Sequence, residues 1–586
     1  MPEDLERELL DYMVEIYHRG VLVGPGGRFG RNLYVRKNGR RVLRPQAGPI
    51  GTSAAYLALT PVEGNPFFGR DDLSRLAVDA GDRLVLDHVD VGRAFDRPNH
   101  FDIYPLVRIV QLAGDHAGKT RLARWRETIA RNLKAILDLI DRAWPIFGRP
   151  APWSGTGPNH YFGWFSVGRE QATLLADDAA VRRIDRAFLK HLKIQSHTGY
   201  FPEHMGPSVG YQHVSLGGVA EYHRQHPRQV TMQAIERGVA FMVRAIYPDG
   251  RALETFDERN RLGSYSRLQP GLAWTGEGRT LLARNIAAQR ERFRGMGPPT
   301  HFRKERDAWT LGAAFRCYEH LQAANSLGIK PKPLPVDRKR FTWRVEDKGL
   351  VRKEGPWFYA LSAWTHNTHA GNPYHLERTQ ALSVYHDAAG LIVGGGNDKR
   401  NYHNATIHLL EGGEVHYFPP LTGRMLAGVE AKALSTRGKC DRLMFDYGSA
   451  NAALEVRCES DERLRIALAV ETTMIDPDIA MVLQLPVQPP VALRSGTRQI
   501  RLGRARHNQE PKTTRVGRSL ALPGKWKLAL PAGASLTWPH VPWNGYRPPD
   551  YKALPVDAVA LVRVPLSKRS GRAEVVILCG RLVTRP

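Results

Sequence analysis

Residues 154–171 read SGTGPNHYFGWFSVGREQ, a Gly/Pro-rich approach that delivers Asn159 and His160 side by side ahead of Tyr161, Phe162, Trp164 and Phe165. A carboxamide offers N–H donors, and an imidazole offers a donor, an acceptor or, once protonated, a cation. The pair can therefore hold an oxyanion in a cleft, with neighbouring rings, Trp164 above all, giving flat faces on which a sugar stacks. A buried turn with a satisfied Asn and His fits the same residues, and what separates the two is a second segment. Residues 201–222, FPEHMGPSVGYQHVSLGGVAEY, carry Glu203 and Tyr211 in another Gly/Pro turn before a helical pattern. Glu203 suits a substrate hydroxyl and equally a helix cap. Asn99-His100, in DRPNHFDIY, repeats the dipeptide, so His100 either lines the same cleft or opens the helix near Ile103. Arg267, in GSYSRLQPG, brings a guanidinium that grips a carboxylate bidentately.

The elements that must carry these residues change character along the chain. Up to about Leu327 apolar residues recur with helical period: Ile103, Leu106, Val107 and Val110; Ile129, Leu133, Ile136 and Ile140; Ile184, Phe188 and Leu192; Ile235, Val239 and Met242; Leu311, Phe315 and Tyr318. Loops rich in Gly, Pro, Asn and His separate them, which predicts helix pairs in a toroid with polar loops lining a cleft. The run GIKPKPLPVDRKR, residues 328–340, cannot continue a helix and marks the boundary. Beyond it alternation takes over, as in residues 357–363, 381–385, 405–410, 464–470 and 558–564. The expected fold is α+β and multidomain: an N-terminal (α/α) toroid over 1–335, then a C-terminal antiparallel β-sandwich over 336–586.

Composition narrows the partners. Lys+Arg 84 against Asp+Glu 58 gives a net charge of +26 over 586 residues, which favours a polyanionic partner. No finger, RRM, KH or helix-turn-helix signature is visible, so nucleic acid is not expected. No apolar run reaches the ~20 residues of a membrane span. The acidic, amphipathic start MPEDLERELLDYMVEIYHRG is not a signal peptide. Four cysteines, Cys317, Cys440, Cys458 and Cys579, form no zinc-like spacing or disulfide framework, although Cys440 and Cys458 could pair within a sheet.

A helical half with Asn159-His160, then Glu203-x-x-Gly-Pro-x-x-x-Tyr211, then a strand-rich half with His375-Leu376-Glu377 ahead of ALSVYHDAAGLIVGGG and the stretch YHNATI at 402–407, resembles the polysaccharide lyases of the heparinase II/III and alginate-lyase type. The match spans about two thirds of the chain in order and spacing. It implies β-elimination on a uronate polymer, in which the sugar carboxylate is neutralised, a base takes the C5 proton and an acid protonates the leaving oxygen. By the resemblance Asn159 and His160 neutralise, Tyr211 is base, acid or both, His375 is a further neutraliser or base, and His403 steadies that face or binds a metal. Gly394-Gly395-Gly396-Asn397-Asp398 stands where relatives often carry Asp-x-Gly, so no cofactor is required and a structural zinc at His403 is in doubt. The resemblance also implies a secreted or periplasmic protein acting on an acidic polysaccharide.

Two other readings compete. An inverting glycoside hydrolase on a similar toroid would use Glu203 with Asp257 or Glu258 as its separated carboxylates. A non-catalytic binder of acidic polymer would explain the charge alone. The wealth of His, Asn and Tyr in the site-like segments suits elimination better than either.

Overall fold

The computed structural model describes residues 4–21, 34–37, 40–43, 47–90, 100–149, 158–203, 206–257, 267–295, 305–364, 380–397, 405–411, 424–425, 430–438, 440–475, 477–505, 509–540, 558–567 and 570–580. They form two compact units. The first comprises Met1–Glu203, Tyr211–Val243 and Ser266–Leu334; the second comprises His204–Gly210, Arg244–Tyr265 and Pro335–Pro586. Two short segments from inside the helical half of the sequence thus belong with the strands.

The first unit is built from α1 (Leu5–Ile16), α2 (Ala47–Leu59), α3 (Asp71–Asp90), α4 (His100–Ala117), α5 (Lys119–Ala143), α6 (Pro158–Leu174), α7 (Asp178–Leu192), α8 (Val209–Gln225), α9 (Gln229–Met242), α10 (Gly276–Gly295) and α11 (Glu305–Asn325). The apolar stripes read from the sequence are its core: Ile103, Leu106 and Val107 of α4, Ile129 and Ile136 of α5, and Ile184 and Phe188 of α7 are almost fully buried. A short hairpin, Tyr34–Lys37 against Arg40–Leu43, has no counterpart among the expected elements.

Helices α2, α4, α6, α8 and α11 close into a ring. Small residues make α2 fit: a Cβ on Gly51 would come within 2.2 Å of Ala80 in α3, and one on Gly48 within 2.8 Å of Pro105 in α4. Tyr56 of α2 packs on Phe315 and Tyr318 of α11, with centroids 5.2 and 5.5 Å apart. α6 and α8 run side by side in the same direction, because Phe162 meets Gly218, the Ser166 carbonyl accepts from Gln225, and Glu170 accepts from Arg224 at 2.9 Å.

Charge, not only apolar contact, joins the ring. Glu221 of α8, 1% exposed, takes Arg224 Nε at 2.8 Å and His320 Nε2 of α11 at 3.0 Å, and faces Arg316 of α11 at 3.8 Å and the Tyr104 hydroxyl of α4 at 3.4 Å. Arg108 of α4 pairs with Glu319 of α11 and lies 3.8 Å from Glu170 of α6. Trp274 Nε1 donates to His320 Nδ1 at 2.9 Å, so the imidazole is the neutral tautomer whose Nε2–H donates to Glu221. Burial holds His320 down to about 4. Burial also pushes the Glu221 carboxyl upward, but Arg224, His320 and Arg316 outweigh it and hold it well below the usual carboxylate range.

The second unit contains three antiparallel sheets. The five-stranded one runs β3 (Arg340–Val345), β4 (Gly349–Glu354), β5 (Trp357–Ser362), β6 (Leu382–His386) and β7 (Gly390–Val393). The nine-stranded one is ordered β10 (Glu430–Arg437), β11 (Cys440–Asp446), β12 (Ala450–Ser460), β13 (Arg463–Thr472), β22 (Arg572–Cys579), β19 (Trp526–Ala529), β18 (Ser519–Leu522), β15 (Val491–Ser495) and β16 (Arg498–Leu502). The six-stranded one is ordered β17 (Lys512–Arg515), β20 (Ser535–His540), β21 (Val559–Pro565), β14 (Asp478–Leu485), β8 (Ile407–Glu411) and β9 (Arg424–Met425). The three contribute to one core, with Leu361, Leu454 and Leu483 among its buried residues. A buried bidentate pair, Arg352 to Asp441 at 2.6 and 2.9 Å with Tyr359 donating to the same carboxylate at 2.5 Å, ties β4 and β5 to β11.

The possible Cys440–Cys458 disulfide does not form. Cys440 stands opposite Arg457, so Cys458, one residue on, projects from the other face of the sheet. Among the described residues no helix is long and apolar enough to cross a membrane.

Replacing Glu221 by Gln leaves the arginines around it short of a buried countercharge, and such losses cost about 3–5 kcal/mol. The expected outcome is a urea midpoint lowered accordingly with an unchanged m-value. Because the Glu221 pKa is depressed by folding, its contribution is present above the ordinary carboxylate pKa and is lost as pH falls through the depressed value. The Gln variant should therefore lose part of the wild-type sensitivity to acid, measured by unfolding at neutral and acidic pH.

Candidate active site

The first turns of α6 and α8 bring the sequence-derived residues onto neighbouring parallel helices. Asn159 and His160 are the second and third residues of α6, and Tyr211 is the third of α8. The contacts Phe162–Gly218 and Glu170–Arg224 offset the two helices by 54 to 56 positions. Asn159 is thereby level with the segment just after Tyr211, which includes His213. Phe201 supports this geometry from behind, its N–H donating to Gln212 of α8 at 2.9 Å while its ring lies 4.8 Å from that of Phe162 in α6.

Asn159 is 1% exposed, and among the described residues its Oδ1 has no hydrogen-bond partner. Leaving a buried amide oxygen unpaired costs ~1–3 kcal/mol, so a donor brought by a ligand or a water would be favourable there. His160 is half-buried and stacks on Trp164 one turn later, with centroids 5.7 Å apart and planes at 27°. Burial lowers its pKa, so the neutral imidazole predominates at neutral pH.

Trp164, expected as a sugar platform, is 6% exposed and instead fixes the His160 ring. Tyr161, Phe162 and Phe165 are likewise buried, packed around His191 and Phe147. Their aromatic content reflects the core behind the site; sequence alone does not distinguish a ring that faces a cleft from one that backs it.

Tyr211 and Arg267 are half-buried, and Glu203 is 2% exposed at an isolated bridge just before α8. Arg267 is anchored through its carbonyl, which accepts from Asn285 at 2.8 Å. The residue that sequence reasoning passed over is His213. Among the described residues its buried Nδ1 has no partner, its carbonyl accepts from Gln269, and burial together with the positive charge of Arg267 holds its imidazole down to about 3. The only sequence signal was its place two residues after Tyr211, on a helix already singled out.

His100 is the first residue of α4, as its helix-opening alternative has it. His375 and His403, with Asn404 and Glu258, lie outside the described residues. Among the described residues no group of three His, Cys, Asp or Glu side chains is placed to hold a metal ion. Asp257 is committed: Oδ1 accepts from the Ser208 hydroxyl at 2.9 Å and Oδ2 from the Gly210 N–H at 2.5 Å. A carboxylate engaged on both oxygens at the start of α8 is a cap, not a free general base for water.

No protein-family model matches the sequence, and no curated protein is similar to it at a significant level. Solved structures do resemble it in fold. A heparinase III matches over 100% of this chain and 86% of its own, at TM-score 0.48 and 10% identity. A Paenibacillus xanthan lyase matches over 98% of this chain and 57% of its own, at TM-score 0.48 and 12% identity. The Streptomyces coelicolor chondroitin AC lyase, solved in complex with chondroitin sulphate, matches over 99% and 97%, at TM-score 0.43 and 12% identity. The similarity to polysaccharide lyases is one of fold: a helical toroid followed by antiparallel sheets.

Proposed function

We propose that the protein is a polysaccharide lyase that cleaves an acidic, uronate-containing polymer by β-elimination outside the cytoplasm, with residues 1–335 as its catalytic part. The observation that carries this reading is the head of α6, where the buried Asn159 amide, its Oδ1 unpaired among the described residues, and a neutral imidazole stand level with the first turns of α8 behind Tyr211. In the proposed reaction the Asn159 Nδ2–H and the His160 N–H donate to the sugar carboxylate, the Asn159 Oδ1 accepts from a sugar hydroxyl, and Arg267 supplies the cation that the neutral His160 does not. Tyr211 handles the proton: a base removes it from C5, the electron pair forms the C4–C5 double bond, the C4–O bond breaks, and the leaving oxygen is protonated. His375 is the proposed further base or neutraliser, and Glu203 and His100 are proposed to bind sugar hydroxyls. Any structural zinc would fall to His403; no step requires it. The hydrolase reading loses support because Asp257 already caps backbone and hydroxyl groups.

Elimination leaves a C4–C5 double bond conjugated with the carboxylate, so incubation with alginate, glucuronan and glycosaminoglycans should yield an ultraviolet-absorbing product from at least one polymer. Shortened polymer with flat absorbance, and oxygen from labelled water in the new ends, would establish hydrolysis instead. Binding with no shortening of any polymer would establish a binding protein. Tyr211→Phe is expected to lower kcat by about 10²–10⁴-fold with KM little changed, as loss of a general acid–base does.

The acid side of the pH profile supplies a separate check. The neutral imidazole of His160 is the working form, and burial depresses its pKa. Activity should therefore persist below the ordinary histidine pKa of ~6.5 and fall only as pH drops through the depressed value. A kcat/KM profile whose acid limb sits at or above the ordinary histidine value would remove His160 from this role.

A further inference from the structure

The second unit carries its charge unevenly. Residues 491–530 contain ten Arg and Lys, seven of them Arg, and one acid, Glu510. Elsewhere in the unit some arginines have acidic partners, as Arg442 has Glu455 at 3.4 Å and Arg465 has Glu574 at 3.3 Å. Arg494, Arg498, Arg501, Lys512, Arg515 and Lys525 are exposed, and among the described residues none of them has an ion-pair partner.

Strand register turns part of this charge into a row. Directly opposed residues of antiparallel strands share a face. The pairs Gln499–Arg494, Arg494–Ala521, Ala521–Lys527, Lys527–Leu578 and Leu578–Arg463 therefore form one line across β16, β15, β18, β19, β22 and β13. Cations stand on every second strand, Arg494, Lys527 and Arg463, with the last also bonded to Glu459 at 2.5 Å. At ~4.8 Å between strands they recur every ~9.6 Å. Ala521 between the first two leaves the surface open.

We propose that this sheet face binds a linear acidic polysaccharide laid across the strands, its acid groups on alternate sugars meeting Arg494 and Lys527. The repeat of a linear glycan with an acid on every second sugar is of the same length as two strand spacings, and guanidinium suits carboxylate and sulfate alike. Nucleic acid fits less well, because Trp526, beside Lys527 in the row, is buried and offers no face for base stacking. An anionic membrane also fits less well. Among the described residues the large apolar ones that are exposed, Phe68, Trp144, Val230, Leu327 and Ile475, all lie outside 491–530, so none there is placed to insert. Edge strands often carry cations that block sheet-to-sheet pairing, which accounts for β16 and β17. It does not account for Arg494 and Lys527, which sit on interior strands of the sheet.

The test uses the full chain carrying Tyr211→Phe, so that binding is read without turnover. Affinity for chondroitin sulfate is measured by calorimetry for that chain, for R494E/K527E, for the milder R494Q/K527Q, and for the edge-strand control R498E/K512E. Loss of two charge-assisted contacts should weaken binding about tenfold or more in R494E/K527E and by less in R494Q/K527Q, with the edge control within about twofold. Unchanged melting temperatures establish folding, and the Gln pair serves if the reversed pair unfolds. Equal affinity in all variants, an edge control that loses as much as the row, or duplex DNA and phosphatidylserine vesicles bound as tightly and lost in parallel, would each overturn the proposal. In the Tyr211-intact chain, turnover with row-independent binding sinks this inference alone, whereas row-dependent binding without turnover sinks the lyase reading alone.

Discussion

A carboxylate taken out of water must be paid for by neighbours, and Glu221 sets that constraint for the helical unit. Its bonds reach Arg224 on its own helix and His320 on α11, with Tyr104 of α4 and Arg316 of α11 close by, while Arg224 passes the connection to Glu170 of α6. Apolar contacts alone would tolerate sliding of one helix along the next. A buried ion and hydrogen-bond network does not, because a shift of one turn strands several charges in a low-dielectric interior at once. The ring is thus held at a fixed height as well as a fixed circumference, and that height puts Asn159 level with the start of α8.

Burial shapes the chemistry at that end as well. The aromatic residues after His160 form a core in which Phe162 touches Phe188, Phe201 and His191. Trp164 lies against the imidazole from within the same helix. His160 is consequently fixed in direction and kept neutral by the cause that fixes it. A candidate site resting on so much apolar packing is positioned by the ordinary core of the domain rather than by a dedicated scaffold.

Much of the architecture was legible in the sequence because period and alternation report burial directly. Ile129, Leu133, Ile136 and Ile140 read as a helix and are one, and residues 464–470 read as a strand and lie within β13. What escaped was either short or polar. The strands RQIRL and KTTR (β16 and β17) carry little apolar alternation because they are sheet edges. Glu170, Glu221 and Glu319 look like solvated helix faces until the helices close around them, and nothing local to the sequence announces three carboxylates meeting three arginines. The Asn159-His160 dipeptide and Tyr211 stood out by composition, whereas His213 did not, since a histidine is informative only once its surroundings are known. The pairing of Asp257 with Ser208 and Gly210 spans about fifty residues and is equally invisible to local reading.

Helices α6 and α8 each present site residues at one end and ring-closing charges at the other. Asn159 and Glu170, like Tyr211 and Glu221, are separated by roughly 15 Å of helix. Substitutions that far apart, with no shared partner, combine almost additively. Substitutions in the N-terminal turns can thus alter the candidate site while the charge ring keeps the fold, and the ring can be rewired without disturbing that site. Such a division of labour along a single helix lets one end change while the other holds the fold.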